Sequence, residues 1–317
     1  MRVLWQRAMI GAARSPRIKR FMQSARATSF LRDKYVAGAS ADDGTRRAVD
    51  LLESDGIRSS LFFMGEYVDS LDLVRENVEQ KLKVIDNLGR KRIDVHVSVD
   101  PTQIGHHVDP SVVAAHAERI ATAVREAMKN RKGIHCLMFD MEDASLNDPT
   151  IALHDTLQDR GLPVALTLQA YMRRTEADLA AQISRSSRIR LVKGAFAADA
   201  GLAFQSQREI KENFRRLIGM MLSAEAKVSG FYPIIATHDE TLHAFAINVA
   251  RHNGWKAGEY EFEMLLGVRE NVARSLAADG ERVRLYVPFG RDWWPHAVRR
   301  IGENPANVLL LIRSLVN

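Results

Sequence analysis

The stretch RVRLYVPFGRDWWPHAVRRIGE, residues 282 to 303, contains an apolar run, a turn and a segment of helical periodicity in direct succession. Tyr286 and its apolar neighbours are typical of a buried strand, and Pro288 and Gly290 mark its end. A strand followed by a helix is one βα unit, the repeating element of a parallel sheet. This stretch therefore predicts a parallel α/β fold, provided that similar units precede it.

Seven similar β-rich runs do precede it, and amphipathic segments follow them. We predict eight strands, at SSLFFMG (59–65), DVHVSVD (94–100), CLMFDM (136–141), PVALTLQ (163–169), IRLVKGA (189–195), YPIIATH (232–238), YEFEML (260–265) and VRLYVP (283–288). Near-continuous apolar strands fit a parallel sheet buried on both faces, and about 260 residues is the usual length of a (β/α)8 TIM-type barrel. We therefore predict such a barrel over residues 57 to 317, after an N-terminal helical arm over residues 1 to 56. A doubly wound open sheet is the alternative, although no GxGxxG or GxxxxGK[ST] segment supports it.

The basic charge of the chain is concentrated in its N-terminal arm. Residues 1 to 32 contain eight Lys or Arg side chains and no Asp or Glu, whereas the rest of the chain is slightly acidic. The body therefore offers no large cationic surface, which argues against nucleic acid as a partner. The arm interleaves apolar and basic residues, as does a transit peptide or a helix that contacts a membrane surface, a partner or its own barrel.

Cysteine content and hydropathy indicate the cellular compartment in which the protein works. The single cysteine, Cys136, excludes an internal disulfide and favours a reducing compartment. No apolar run approaches the roughly 20 residues that a membrane span needs. We therefore expect a cytoplasmic protein. Its arm could at most give peripheral contact with the inner face of the membrane.

Polar side chains gather at the predicted carboxyl ends of the strands, where barrel enzymes carry their chemistry. This ring consists of Asp100, Asp140, Glu142, Gln169, Tyr171, Arg190, Lys193, Thr237, His238, Asp239, Glu263 and Tyr286. Three chemistries remain open on these residues. A metal-dependent hydrolase would use His96, Asp140 and His238 as ligands, and a Schiff-base aldolase would use Lys193 as nucleophile. A flavin enzyme would use the cationic and amide donors of the ring.

The helix predicted after the last strand carries a candidate anion site. His296, Arg299, Arg300 and Glu303 are three to four residues apart and so share one helix face. Two adjacent guanidiniums on that face can bind a carboxylate or a phosphate bidentately.

Several ordered motifs resemble the monofunctional bacterial proline dehydrogenases, which are FAD enzymes with a distorted (β/α)8 barrel. The motifs are KYVAG (34–38), FFMGE (62–66), VSVDPTQIG (97–105), FDMED (139–143), QAY (169–171), RLVKGAF (190–196), ATHD (236–239), YEFEMLLG (260–267), YVPFG (286–290) and RRIGE (299–303). The resemblance implies oxidation of proline, or of a proline-like secondary amine, to the cyclic imine by hydride transfer to flavin N5. It also implies that the electrons pass to a membrane quinone or another acceptor.

The resemblance implies roles for individual residues. Asp140 and Arg190 resemble the family's catalytic acidic residue and flavin-contacting cation. The positions that resemble the family's FAD contacts are Gln169, Arg190, Lys193, Gly194, Ala195, Thr237, His238, Asp239 and Glu303. The positions at which the family binds its substrate are Asp100, Leu265, Tyr286, His296, Arg299 and Arg300. The resemblance assigns no residue to a metal.

Two of these positions depart from the family pattern. The family has a lysine where this chain has Asp100, and a tyrosine where it has His296. An anion near a carboxylate-binding site weakens the binding of free proline, so three hypotheses follow. The chain is a specialised relative that oxidises another amine or amino-acid derivative, an ordinary proline dehydrogenase with a rearranged lysine contact, or a catalytically silent flavin-binding protein.

Overall fold

The computed structural model describes residues 29–65 and 68–293. Within them eight parallel strands form a closed barrel in chain order. The strands are β1 (Arg58–Phe63), β2 (His96–Val99), β3 (Cys136–Phe139), β4 (Val164–Gln169), β5 (Arg188–Val192), β6 (Tyr232–Ala236), β7 (Glu261–Leu265) and β8 (Val283–Phe289). The barrel closes because β1 pairs with β8 from Arg58↔Arg284 through Phe63↔Phe289. This closure confirms the predicted (β/α)8 fold and excludes the open sheet.

Helices surround the barrel. They are α1 (Ser29–Tyr35), α2 (Ala41–Asp55), α3 (Leu71–Gly89), α4 (Val113–Met128), α5 (Asn147–Asp159), α6 (Thr175–Ser184), α7 (Gln207–Met221), α8 (Ala224–Ser229), α9 (Glu240–His252) and α10 (Glu270–Ala278). Within the described ranges no helix is both long and apolar enough to cross a lipid bilayer. Short 3-10 turns at Pro101–Ile104 and Ala144–Leu146 follow β2 and β3.

Local sequence sets where these helices begin and end. Ser40 and Asp43 form a capping box at the start of α2, in which each side chain accepts a hydrogen bond from the other residue's backbone N–H. The helix ends at Gly56, whose φ of 68° is the left-handed conformation that glycine adopts without strain. Helices α1 and α2 lie in the second half of the predicted N-terminal arm. Residues 1–28 of that arm lie outside the described residues, and the domain boundary at residue 56 stays a prediction.

Alternate residues of each strand face the barrel interior. Met138 and Ala165 pair across β3 and β4 and belong to a small apolar cluster with Cys136 and Ile234. Their neighbours in sequence belong to the large core between the strands and the helices. Because side chains alternate along a strand, the same rule places Thr167, Arg190, Glu263 and Tyr286 on the inner face. The barrel interior therefore becomes polar toward the carboxyl ends of the strands.

A second polar network closes the amino-terminal end of the barrel. Arg284 is fully buried, and its guanidinium lies 2.7 Å from Oε1 of Glu261 and 2.7 Å from Oδ2 of Asp94. It also donates a hydrogen bond of 2.8 Å to the carbonyl of Ser59. One guanidinium thus satisfies two carboxylates at the end of the barrel opposite the polar ring.

Candidate functional site

The centre of the polar ring is the guanidinium of Arg190, which the β5 register places inside the barrel. It forms an ion pair with Asp140 and lies 3.0 Å from Oε1 of Glu263. It also donates hydrogen bonds of 3.0 and 2.8 Å to the hydroxyl of Thr167, its register partner on β4. Only 3% of Arg190 is exposed. A buried cation is therefore held by two carboxylates from opposite sides of the barrel.

Tyr286 on β8 completes this cluster. Its hydroxyl donates a hydrogen bond of 2.8 Å to Oδ2 of Asp140, while the guanidinium of Arg190 lies 5.4 Å from the centre of its ring. Phe62 of β1 packs against the same ring at a centroid distance of 5.3 Å. Tyr286 thus orients the Asp140 carboxylate and forms an aromatic wall with Phe62.

The charges of the cluster are not balanced. Burial raises the pKa of Glu263, and the charge of Arg190 offsets this only in part. Oε2 of Glu263 is buried and has no hydrogen-bond partner among the described residues. The cluster therefore contains one cation, one carboxylate oriented by two donors, and a second carboxyl group that can take up a proton more readily than an exposed glutamate.

We expect Tyr286→Phe to lower the free energy of unfolding by about 1 to 2 kcal/mol, because Asp140 loses a charge-assisted hydrogen bond while the ring is kept. Urea unfolding measures the change. Tyr232→Phe is the matched control. The Tyr232 hydroxyl donates to the buried Glu261 at the other end of the barrel, but at 3.4 Å this hydrogen bond is longer, so its removal should cost less stability. An unchanged midpoint for Tyr286→Phe would contradict the contact.

Gln169 lies at the carboxyl end of β4, beside this cluster. Its amide nitrogen donates to the carbonyls of Met141 and Glu142, at 3.3 and 3.2 Å. Its Oε1 is buried and has no hydrogen-bond partner in the described part of the chain. Because buried polar atoms are rarely left unsatisfied, Gln169 presents an acceptor suited to an N–H group of a ligand.

The segment after β5 passes closely against Tyr171. Gly194 has a φ of 95°, and a Cβ at this position would overlap the Tyr171 ring. Only glycine meets both conditions without a shift of the backbone. Lys193 and Ala195 on either side are exposed, and the Lys193 ammonium contacts Oε1 of Gln207 at the start of α7. A cation therefore stands at the rim of the barrel, next to a tightly packed turn.

The segment after β6 is fixed by its own side chains. The hydroxyl of Thr237 accepts a hydrogen bond from the N–H of Asp239, and Nε2 of His238 accepts one of 3.0 Å from the N–H of Leu265. Burial alone would raise the pKa of Asp239, but hydrogen bonds from Lys211 and Thr241 outweigh it and lower that pKa to about 2. His238 thus sets the position of Leu265 at the end of β7, and Asp239 caps α9.

The structure brings most of the sequence-predicted site residues to one end of the barrel. Asp100 directly follows β2 and is half-buried. His296, Arg299, Arg300 and Glu303, with the helix predicted to carry them, lie outside the described residues. The predicted anion site on that helix stays a prediction.

Two buried residues near the site, Thr167 and Lys81, had not been identified from sequence, and Glu263 had been placed in the polar ring without an assigned partner. Thr167 and Glu263 contact Arg190 directly, and the alternation along β4 and β7 indicates their inward orientation. Lys81 is fully buried in α3, where it occupies the apolar stripe formed by Val78, Val84 and Leu88. A lysine on such a stripe is the signal that could have identified it.

Neither of the other two chemistries gains support from this geometry. A Schiff-base lysine is activated by desolvation, whereas Lys193 is exposed. Among residues 29–65 and 68–293, no three His, Cys, Asp or Glu side chains are grouped so as to hold a metal ion. His96, one of the proposed ligands, is fully buried, and burial holds its pKa well below the usual value.

The closed parallel barrel and the charged cluster at its carboxyl end define the chain as a (β/α)8-barrel enzyme. Residues 45–311 match the family model described as proline dehydrogenase. The chain belongs to the proline dehydrogenase family and is an oxidoreductase of that family, which confirms the resemblance of its motifs.

Individual relatives agree with this assignment. The proline dehydrogenase of Deinococcus radiodurans is 32% identical over 99% of this chain and 98% of its own length. Proline dehydrogenase 2 of Bacillus subtilis is 30% identical over 83% of this chain and 84% of its own length. Proline utilization A from Bdellovibrio bacteriovorus has the same fold, with a TM-score of 0.78 and 18% identity over 87% of this chain. This chain spans only 33% of that longer protein.

Proposed function

We propose that this protein oxidises proline, or a proline-like cyclic secondary amine, to the cyclic imine, with FAD as the hydride acceptor. The observation that carries the proposal is the buried cluster of Arg190, Asp140, Tyr286 and Glu263 at the barrel mouth of a chain of this family. When bound, the flavin supplies a two-electron acceptor for the hydride that leaves the ring carbon beside nitrogen.

The residues of the chain supply charge and position. The Asp140 carboxylate, held by Arg190 and Tyr286, offers an acceptor for the N–H groups of a secondary amine. Oxidation removes a hydride from carbon and a proton from nitrogen, and an oriented carboxylate can take that proton. Tyr286, Phe62 and Leu265 would restrict the small ring of the substrate, because a fixed distance to the acceptor is most of what a hydride transfer requires.

The residues present fit a flavin. Gln169 offers a buried oxygen acceptor that has no partner within the described ranges, which suits the N–H edge of a flavin ring. Arg190 and Lys193 would stabilise the negative charge that the ring gains on reduction. Gly194, Ala195, Thr237, His238, Asp239 and Glu303 are the further positions proposed to hold FAD.

The electron acceptor and the N-terminal arm belong to the same proposal. We propose that electrons leave through a quinone and that the basic residues before position 33 bring the protein to an anionic membrane surface. The support is the charge of this segment together with the family resemblance. His296, Arg299 and Arg300 are proposed to bind the substrate carboxylate.

A flavin spectrum tests the proposal directly. We expect purified protein to show an oxidised flavin band that anaerobic L-proline bleaches, whereas sarcosine, an open-chain secondary amine, bleaches it far more slowly. Bleaching by another cyclic amine and not by proline would favour the specialised relative, which Asp100 supports. A colourless protein that does not take up FAD would contradict the proposal. A flavin that no amine reduces would indicate a silent binding protein.

A further inference from the structure

A cavity of about 540 Å³ opens at the amino-terminal end of the barrel, opposite the candidate site. This volume lies within the usual range of small-molecule sites. Its described wall combines the apolar side chains of Ala48, Leu52 and Ile93 with one carboxylate, that of Asp94. The same wall contains five cationic side chains, those of Arg58, Arg92, Arg131, Lys132 and Arg282. The described part of the cavity therefore has a large excess of positive charge.

The cations of the cavity come from four separate segments, so the nearly balanced charge of the body conceals them. Arg92, Lys132 and Arg282 form no ion pair with a carboxylate of residues 29–65 and 68–293. Nε of Arg58 lies 3.8 Å from Oδ2 of Asp94, a long separation for an ion pair. Burial lowers the pKa of Arg58, and the charge of Arg282 lowers it further. A bound anion would relieve this repulsion between neighbouring cations.

Asp94 is already engaged by other groups. Its Oδ2 lies 2.7 Å from the guanidinium of Arg284, and its Oδ1 accepts a hydrogen bond of 3.3 Å from the N–H of Ile134. The sequence outside the described ranges contains two acidic side chains, Glu66 and Glu303. The chain therefore has few carboxylates left with which to balance the charge of the cavity.

Ser59 gives a second and independent indication of a ligand. Its neighbour Ser60 faces the barrel interior, where it contacts Ser98, so the alternation along β1 directs Ser59 outward to the cavity wall. Only 7% of Ser59 is exposed, and its hydroxyl oxygen has no hydrogen-bond partner among the described residues. Because buried hydroxyls are rarely left unsatisfied, Ser59 offers a hydrogen bond to a ligand.

The loop that carries Arg131 and Lys132 is fixed against the barrel. The Arg131 guanidinium donates to three backbone carbonyls, two at the end of α4 and one in the loop after α3. Gly133 follows with a φ of 151°, and a Cβ there would overlap Oδ1 of Asp94. The two cations are thus held near the cavity before a ligand arrives, which lowers the entropic cost of binding.

We propose that this cavity binds the phosphate group of an anionic ligand, at a site separate from the one proposed for the amine and the flavin. Guanidiniums bind phosphate oxygens through paired hydrogen bonds, which Arg58 and Arg282 would supply, with the Ser59 hydroxyl as a further donor. The apolar part of the wall suits the organic portion of the ligand. A soluble organic phosphate and a phospholipid headgroup share this chemistry.

Calorimetric titration of the holoenzyme with inorganic pyrophosphate tests the proposal. The variants are Arg282→Met, Ser59→Ala and Arg92→Met, the last an exposed cation whose removal keeps the test open if Arg282→Met does not fold. Arg208→Met is the matched control, because it removes the same charge from α7, where 86% of the side chain is exposed. The buffer contains about 0.15 M sodium chloride, which screens attraction between distant exposed charges. Thermal unfolding shows that each variant is folded.

We expect saturable binding of one pyrophosphate, with Arg282→Met and Arg92→Met weakening it by about tenfold and Ser59→Ala by about threefold, since each removes a hydrogen bond or a charge. Arg208→Met should bind within about twofold of the unmodified protein. Pyrophosphate should also raise the unfolding temperature of the unmodified protein more than that of Arg282→Met. Absence of saturable binding, or an equal loss in Arg208→Met, would show an adventitious ion only and overturn the proposal.

Vesicles distinguish the two sources of the phosphate. The protein is mixed with phosphatidylcholine vesicles that contain phosphatidic acid, and with phosphatidylcholine alone as the control. Binding to the acidic vesicles that pyrophosphate displaces and Arg282→Met weakens would identify a lipid headgroup as the ligand. If neither changes vesicle binding while pyrophosphate still binds in the cavity, the ligand is a soluble phosphate. None of these measurements uses flavin reduction, so their outcome is independent of the proposed function.

Discussion

Replacing Arg190 with methionine is expected to slow flavin reduction by proline at least 100-fold. The guanidinium orients Asp140 and supplies a fixed positive charge near the proposed flavin, and loss of one such preorganised group typically costs a factor of about 10² to 10³. The same change leaves Asp140 and Glu263 without their shared cation in a buried site. The free energy of unfolding should therefore fall by about 3 to 5 kcal/mol. Stopped-flow absorbance under anaerobic conditions and urea unfolding measure the two effects.

The double variant Arg190→Met with Glu263→Gln separates the two roles of Arg190. Removing the Glu263 charge should recover part of the lost stability, because one of the two uncompensated carboxylates is gone. Flavin reduction should stay slow, since Asp140 still lacks its cation. If activity returned with stability, Arg190 would act only by keeping the barrel folded, and its assigned role in the reaction would be wrong.

Replacing Arg284 with methionine is expected to lower the free energy of unfolding by a similar amount, about 3 to 5 kcal/mol, since the buried Glu261 would lose its cation and Asp94 would keep only the longer ion pair with Arg58. The folded fraction should still reduce its flavin within about threefold of the normal rate. The rate should be preserved because Arg284 lies near the amino end of β8, at the opposite end of the barrel from Arg190 and the proposed site. Urea unfolding and the rate per bound flavin give the two values.

Arg284→Met is thus the matched control for Arg190→Met, a buried arginine with two carboxylates at the opposite end of the same barrel. Adding Glu261→Gln to Arg284→Met should restore part of the stability. A large loss of rate in folded Arg284→Met would show that the two ends are coupled, and the contrast between the two arginines would no longer identify the site.

The fold could be predicted from sequence because its signal is repeated. Eight apolar runs, each followed by an amphipathic segment, leave few arrangements that bury every strand on both faces. The predicted strands β1 to β8 all exist, and no end is displaced by more than three residues. The runs at 189–195 and 232–238 extended too far because the polar residues at their ends belong to the turns that build the site.

The site was only partly predictable. The polar residues of the site could be identified because they lie at the predicted strand ends, and the family resemblance gave Asp140, Arg190 and Tyr286 their expected roles. The side chains that these residues contact could not be predicted. Glu263 meets Arg190 across the barrel, 73 positions away in sequence, and no local pattern specifies which side chains meet there.

The sequence by itself determined the barrel, the family and the ring of polar strand ends, because hydrophobic periodicity and short motifs are local properties of the chain. Only the tertiary structure decided how those charges are compensated. The closed barrel brings Asp140 and Glu263 from opposite sides to the buried guanidinium of Arg190, so the charge of the site follows from all three groups together.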